Sequence, residues 1–125
     1  MTKLFLPGVN CWQSWLACMT DQSLDSFSNC STTRDDWRDQ TEIKLFQLGL
    51  YFVEAHPGVI SILPKGQLVG GVVNGVKVPH IVVAKTLRES HRHYFECYHD
   101  PSGRLSAGEM IHPYTVVLLA KLDKV

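Results

Sequence analysis

Cys11, His80 and Asp100 are the residues whose types and order suit a definite chemistry. Cys11 lies in Asn10-Cys11-Trp12-Gln13-Ser14-Trp15-Leu16-Ala17, at the expected start of a helix. His80 lies in Val78-Pro79-His80-Ile81-Val82-Val83-Ala84, an expected strand, and Asp100 in Tyr98-His99-Asp100-Pro101-Ser102-Gly103. A thiol titrates near ~8.5 and only its anion attacks well. The unpaired N–H groups and positive end of a helix dipole favour that anion. Cys18, two turns further on, gains little from this field. An imidazole can hold the thiol proton while a carboxylate fixes its orientation. The chemistry implied is that of a thiolate nucleophile.

Each of the three also has a plain structural reading. A free cysteine is often a small buried apolar residue, a strand histidine can simply be hydrogen-bonded, and Asp100-Pro101-Ser102-Gly103 is a good turn sequence. Pairing brings them together. If 78–86 and 92–100 form an antiparallel hairpin about Ser90, His80 faces Asp100 with Cβ atoms about 4.5–5.5 Å apart. A one-residue slip would place them on opposite faces. For an oxyanion, the Cys11 N–H offers one donor, and the side chain of Asn10 or Gln13 is the local choice for a second.

The elements that must position these groups follow from patterning. Asn10 is a good N-cap, with Gln13 as in a capping box. Trp12, Trp15, Leu16 and Met19 then follow helical spacing, and the helix should end near Asp21. Ser23 to Asn29 reads as one short helical turn. A second helix is expected from Asp35 to about Leu48, with Thr33 and Asp36 at its start and Gly49 at its stop. Strands are expected at Tyr51–Glu54, Val59–Leu63, Val78–Thr86, Arg92–His99 and Tyr114–Leu122. The segment from Gly66 to Gly75 reads as a flexible loop bordering the cleft, its Asn74-Gly75 pair favouring a tight turn. It lacks the Lys-Ser/Thr ending of a phosphate loop. Helices first and an antiparallel sheet afterwards is the pattern of an α+β domain.

At 125 residues the chain is expected to be a single domain over 1–125, long enough to bury roughly two-thirds of its unfolded surface. Twelve basic residues balance twelve acidic ones, which speaks against nucleic acid as a partner. No stretch approaches the ~20 apolar residues that span a bilayer. The first residues make a poor export signal, so the four cysteines are expected to stay reduced in an intracellular, cytoplasmic setting.

With these residues in view, the chain resembles the papain-like cysteine peptidases. It is close in layout to the peptidase domains that process bacteriocin leaders, and closer to small bacterial and bacteriophage proteins of that superfamily. Asn10-Cys11-Trp12-Gln13-Ser14-Trp15-Leu16-Ala17, Pro79-His80-Ile81-Val82-Val83 and His99-Asp100-Pro101-Ser102-Gly103 carry the resemblance, which extends from about residue 6 to 120. It implies a papain-like fold with N-terminal helices packed on the sheet. Cys11 is then the nucleophile, His80 the general base and Asp100 the orienting acid. The implied activity is thiol-dependent hydrolysis of a peptide or amide bond, as a peptidase or amide deamidase, on a peptide or protein substrate and without cofactor or metal. Such enzymes usually carry an oxyanion glutamine about six residues before the cysteine, where this chain has Phe5.

Two other readings compete. One is a binding protein that keeps the layout without turnover. The other is a zinc site on His91-Arg92-His93-Tyr94-Phe95-Glu96-Cys97-Tyr98-His99, where strand alternation places His91, His93, Cys97 and His99 on one face. Trp12, Trp15 and Trp37 read as core rather than as a stacking platform.

Overall fold

Helix α1, Cys11–Thr20, begins where Asn10 stops being extended and its side chain accepts a hydrogen bond from the Gln13 N–H at 3.4 Å. It ends at Asp21, which takes the left-handed conformation at φ 58°. Trp12, Ser14, Trp15, Leu16, Ala17 and Cys18 are all buried, so the helix lies inside the protein rather than on its surface. The structure, a computed structural model, describes residues 1–75 and 78–123. The expected single domain over 1–125 includes residues 76–77 and 124–125, which lie outside the described residues.

A 3-10 turn, Leu24–Phe27, leads to helix α2, Trp37–Gln47. α2 starts two residues later than expected, because Asp36 serves as its N-cap. Gly49 closes it at φ 74°, donating its N–H to the Phe46 carbonyl at 3.0 Å, a conformation that suits glycine. The Trp12 indole N–H donates to Thr41 Oγ1 at 3.0 Å and ties α1 to α2.

Six strands form one antiparallel sheet: β1 (Leu50–Ala55), β2 (Leu68–Val73), β3 (His80–Glu89), β4 (Arg92–His99), β5 (Met110–Ile111) and β6 (Thr115–Lys121), in the order β1-β6-β2-β3-β4-β5. The architecture is α+β. Two expectations need correction. Val59–Leu63 is not a strand: Pro57–Ser61 is a 3-10 turn, because Pro57 sits at its start and His56 Nδ1 caps the Gly58 N–H at 2.9 Å. Those local devices outweigh the β-branched composition, and Val59, Ile60 and Leu63 pack against the sheet instead.

The segment expected to be a flexible loop is likewise a central strand. β2 pairs with both β3 and β6. Its glycines serve close packing: Gly70 lies under the Trp15 ring of α1, and Gly71 under Ile111 on the other face. Ile111 belongs to β5, three strands away from β2 in the sheet order. Neighbouring strands are about 4.8 Å apart, so that contact requires the sheet to curl strongly. The concave face encloses Val69, Val82, Ala84, Phe95, Cys97, Ile111 and Val116. The convex face carries Ile81, Val83 and Val117 against α1.

Candidate functional site

Cys11 is the first residue of α1, and His80 is the first residue of β3. The helix that carries the thiol packs against the strand that carries the imidazole, through Trp15, Leu16, Ile81 and Val83 in one apolar cluster. Cys11 is half-buried and lines the same cleft as His80, its S–H donating to Pro79 O at 3.8 Å.

His80 Nε2 lies 3.0 Å from each oxygen of Asp100. An ionised carboxylate only accepts, so Nε2 carries the proton and Nδ1 is the ring nitrogen left for the sulfur. Asp100 is buried, and its oxygens also accept the N–H groups of Ser102 (3.0 Å), Arg104 (3.1 Å) and Leu105 (2.9 Å). The Ser102 hydroxyl donates to Oδ1 at 2.8 Å. The turn begun by Asp100-Pro101 therefore wraps its backbone donors around the carboxylate.

The expected register differs from the one found. β3 and β4 pair Glu89 with Arg92 and Ala84 with Cys97, one residue away from the hairpin that would set His80 opposite Asp100. A bulge then inserts Tyr98, so that Val83 pairs with His99. The extra residue restores the parity, and Asp100 approaches His80 from the turn beyond the strand rather than as its cross-strand neighbour. The bulge also breaks the face proposed for zinc. Cys97 packs in the concave core, whereas His99 donates Nε2 to Leu4 O at 2.6 Å and meets the Phe5 ring edge-on. His91 lies in the turn between the strands. Among the described residues no group of three His, Cys, Asp or Glu side chains could hold a metal ion.

The electrostatics single out one thiol. Burial pushes Cys11 up, but the hydrogen bond with His80, the Ile81 N–H, the imidazolium charge and its own N–H bring it below the ordinary thiol value. Burial pushes Cys18, Cys30 and Cys97 up, Cys97 to about 11. His80 is pushed up to about 9, first by its hydrogen bond to Asp100 and then by that to Cys11, against the opposing effect of burial. Burial alone would raise Asp100, but the His80, Leu105 and Ser102 donors overcome it and hold the carboxyl well below the usual range.

Of the two tentative oxyanion donors, Gln13 has its amide nitrogen on the carbonyls of Phe27 (2.8 Å) and Ser28 (3.3 Å), and so offers nothing to a substrate. Asn10 Nδ2 donates to Thr32 Oγ1 at 2.8 Å, which leaves one of its two N–H bonds, and Asn10 borders the cleft. That cleft is open, has a volume of about 1030 Å³ and is lined by Cys11, His80, Trp12, Trp37, Ser102 and Tyr114, among others. Arg38 and Glu54 on its wall pair with one another.

Ser102 was not singled out as a site residue in the sequence. Its hydroxyl lies 3.2 Å from His80 Nε2, and the signal for it was the turn Asp100-Pro101-Ser102-Gly103, in which an aspartate bonds the backbone two residues on.

No protein-family model, curated protein or solved structure matches the chain. No helix among the described residues is long and apolar enough to cross a membrane.

Proposed function

We propose that this protein is a thiol-dependent hydrolase of papain-like layout, acting on a peptide or amide bond. The observation that carries the reading is the buried His80–Asp100 pair, with the imidazole Nε2 at 3.0 Å from both carboxylate oxygens, and Cys11 and His80 lining one open cleft. A cysteine opening a helix, a histidine opening a strand and an aspartate after the next strand match the layout of that superfamily.

In the resting pair the Cys11 thiolate faces a protonated His80. The sulfur attacks the carbonyl carbon, a C–S bond forms and the carbonyl electrons move to oxygen. Collapse of that intermediate breaks the C–N bond, and His80 gives its Nδ1 proton to the departing amine. Water then attacks the thioester while His80 accepts its proton. The C–S bond breaks, the carboxylic acid leaves and the thiolate–imidazolium pair is restored. Asp100 keeps Nε2 protonated and the ring aligned.

The test is alkylation by iodoacetamide at pH 7, followed by mass spectrometry of each cysteine. Cys11 should be modified much faster than Cys18, Cys30 and Cys97, and Cys11→Ala should remove the fast phase. Slow and equal labelling of all four thiols would overturn the reading.

A second reading, a binding protein of the same layout without turnover, has one observation in its favour. Phe5, at the place of the family's oxyanion glutamine, is 70% exposed and Gln13 is engaged elsewhere. Fast alkylation of Cys11 without hydrolysis across a panel of peptide and amide substrates would support it.

A further inference from the structure

We propose that Ser102 is a fourth member of the site, a positioning residue whose hydroxyl holds the His80 ring in the tautomer and orientation that face Cys11. The inference rests on the hydrolase reading for its purpose, and on hydrogen-bond geometry for its substance.

The Ser102 hydroxyl lies between the two partners of the buried pair, 2.8 Å from Asp100 Oδ1 and 3.2 Å from His80 Nε2. Its one proton must go to the carboxylate, which can only accept. Its lone pairs then face the imidazole, so the Nε2–H is shared among three oxygens: two of Asp100 and one of Ser102. A ring flipped to present carbon there would leave the hydroxyl lone pairs and the carboxylate without that donor, at a cost expected for buried polar groups. The position of Oγ is itself fixed, because the Ser102 N–H is bonded to Asp100 Oδ1 at 3.0 Å and the turn is closed by Gly103 N–H donating to Asp100 O at 2.9 Å. Ser102 borders the cleft and is half-buried.

The consequence is electrostatic as well as geometric. An oxygen accepting from Nε2–H favours the imidazolium, and a hydroxyl donating to Oδ1 keeps the carboxylate ionised beside it. The ionisable groups against His80 are the Cys11 thiol from α1 and Asp100 from the turn after β4. Arg38, Glu54, Arg104 and Tyr114 border the same cleft.

The test compares wild type, Ser102→Ala and Ser102→Thr by two measurements. One is the pH profile of Cys11 alkylation by iodoacetate, an anionic reagent whose reaction slows as the imidazolium loses its proton. The other is titration of the His80 ring by NMR. In Ser102→Ala both should move down by about half a unit to one unit, the shift equivalent to one ordinary hydrogen bond. Ser102→Thr, which keeps the hydroxyl, should stay near wild type. Should Ser102→Ala not fold, Ser102→Gly serves in its place, since the backbone N–H that braces the turn is retained. An unchanged His80 titration in Ser102→Ala overturns the inference, as does an equal shift in Ser102→Ala and Ser102→Thr. Sluggish alkylation of wild-type Cys11 would instead overturn the hydrolase reading, while the His80 titration still decides the role of Ser102.

Discussion

Gly70→Ala probes the packing that holds the thiol beside the imidazole. A Cβ at Gly70 would lie 2.8 Å from Trp15 Cζ2, 2.9 Å from Trp15 Cε2 and 2.8 Å from Ile81 Cδ1, against 3.4–4 Å for ordinary contact. Trp15 is fully buried, and its ring cannot swing aside in a close-packed interior. The isoleucine tip can give, but the indole edge must be displaced by more than half an ångström together with α1, or the strand must shift. Overpacking of this kind costs about 1–3 kcal/mol. Trp15 follows Cys11 by one helical turn, so the same displacement lifts the sulfur from His80 and should slow Cys11 alkylation. Urea unfolding, with alkylation measured on the folded protein, reads both effects. Gly71→Ala is the control. Its Cβ meets the flexible end of Ile111 at 3.1 Å and Ala84 Cβ at 3.2 Å on the opposite face, so it should cost less and leave Cys11 reactive. Trp15→Phe should relieve part of the Gly70→Ala penalty, with a coupling of about 0.5–3 kcal/mol. The substitution also removes Trp15 Nε1, a buried N–H without a hydrogen-bond partner among the described residues. Gly70→Ala within about 0.5 kcal/mol of wild type, the range of ordinary surface changes, would refute this account of β2, as would strict additivity with Trp15→Phe.

Three further outcomes follow from the site. Cys11→Ala should abolish hydrolysis of any substrate found while leaving the urea midpoint close to wild type, since the half-buried thiol contributes little packing; full retained activity would exclude the mechanism. Asp100→Asn should destabilise by about 3 kcal/mol or more, as when one partner of a buried ion pair is removed. The His80 titration, measured by NMR, should then fall from about 9 toward its ordinary value. Stability should also depend on pH in both directions. Asp100 is held low, so its contribution is present above the ordinary carboxylate range and is lost as pH falls below it. His80 is raised, so its contribution is complete below about 6.5 and is lost as pH rises through about 9. Urea midpoints across pH 3–10 should therefore peak between the two limbs, and Asp100→Asn should flatten the acid one.

Much of this molecule can be read locally. Asn10 as an N-cap, Gly49 as a helix stop, the apolar spacing of Trp12, Trp15 and Leu16, and the alternation in Arg92–His99 are all decided within a few residues, by hydrogen-bonding capacity and period. They determine where α1 and β4 lie, and hence that Cys11 opens a helix. Tertiary structure decided the rest. β2 is a strand because β3 and β6 pair with it on both sides, and its two glycines, which locally suggest a loop, leave room for Trp15 and Ile111. The meeting of His80 with Asp100 depends on the bulge at Tyr98 and on backbone N–H groups of a turn, and β3, buried on both faces from His80 to Ala84, has no in–out alternation there to mark its register. Ser102 has an address only once that turn closes. The residue types at the site are set by the chain itself; the distances between them arise from long-range packing, which is cooperative and has no counterpart in any short window of sequence.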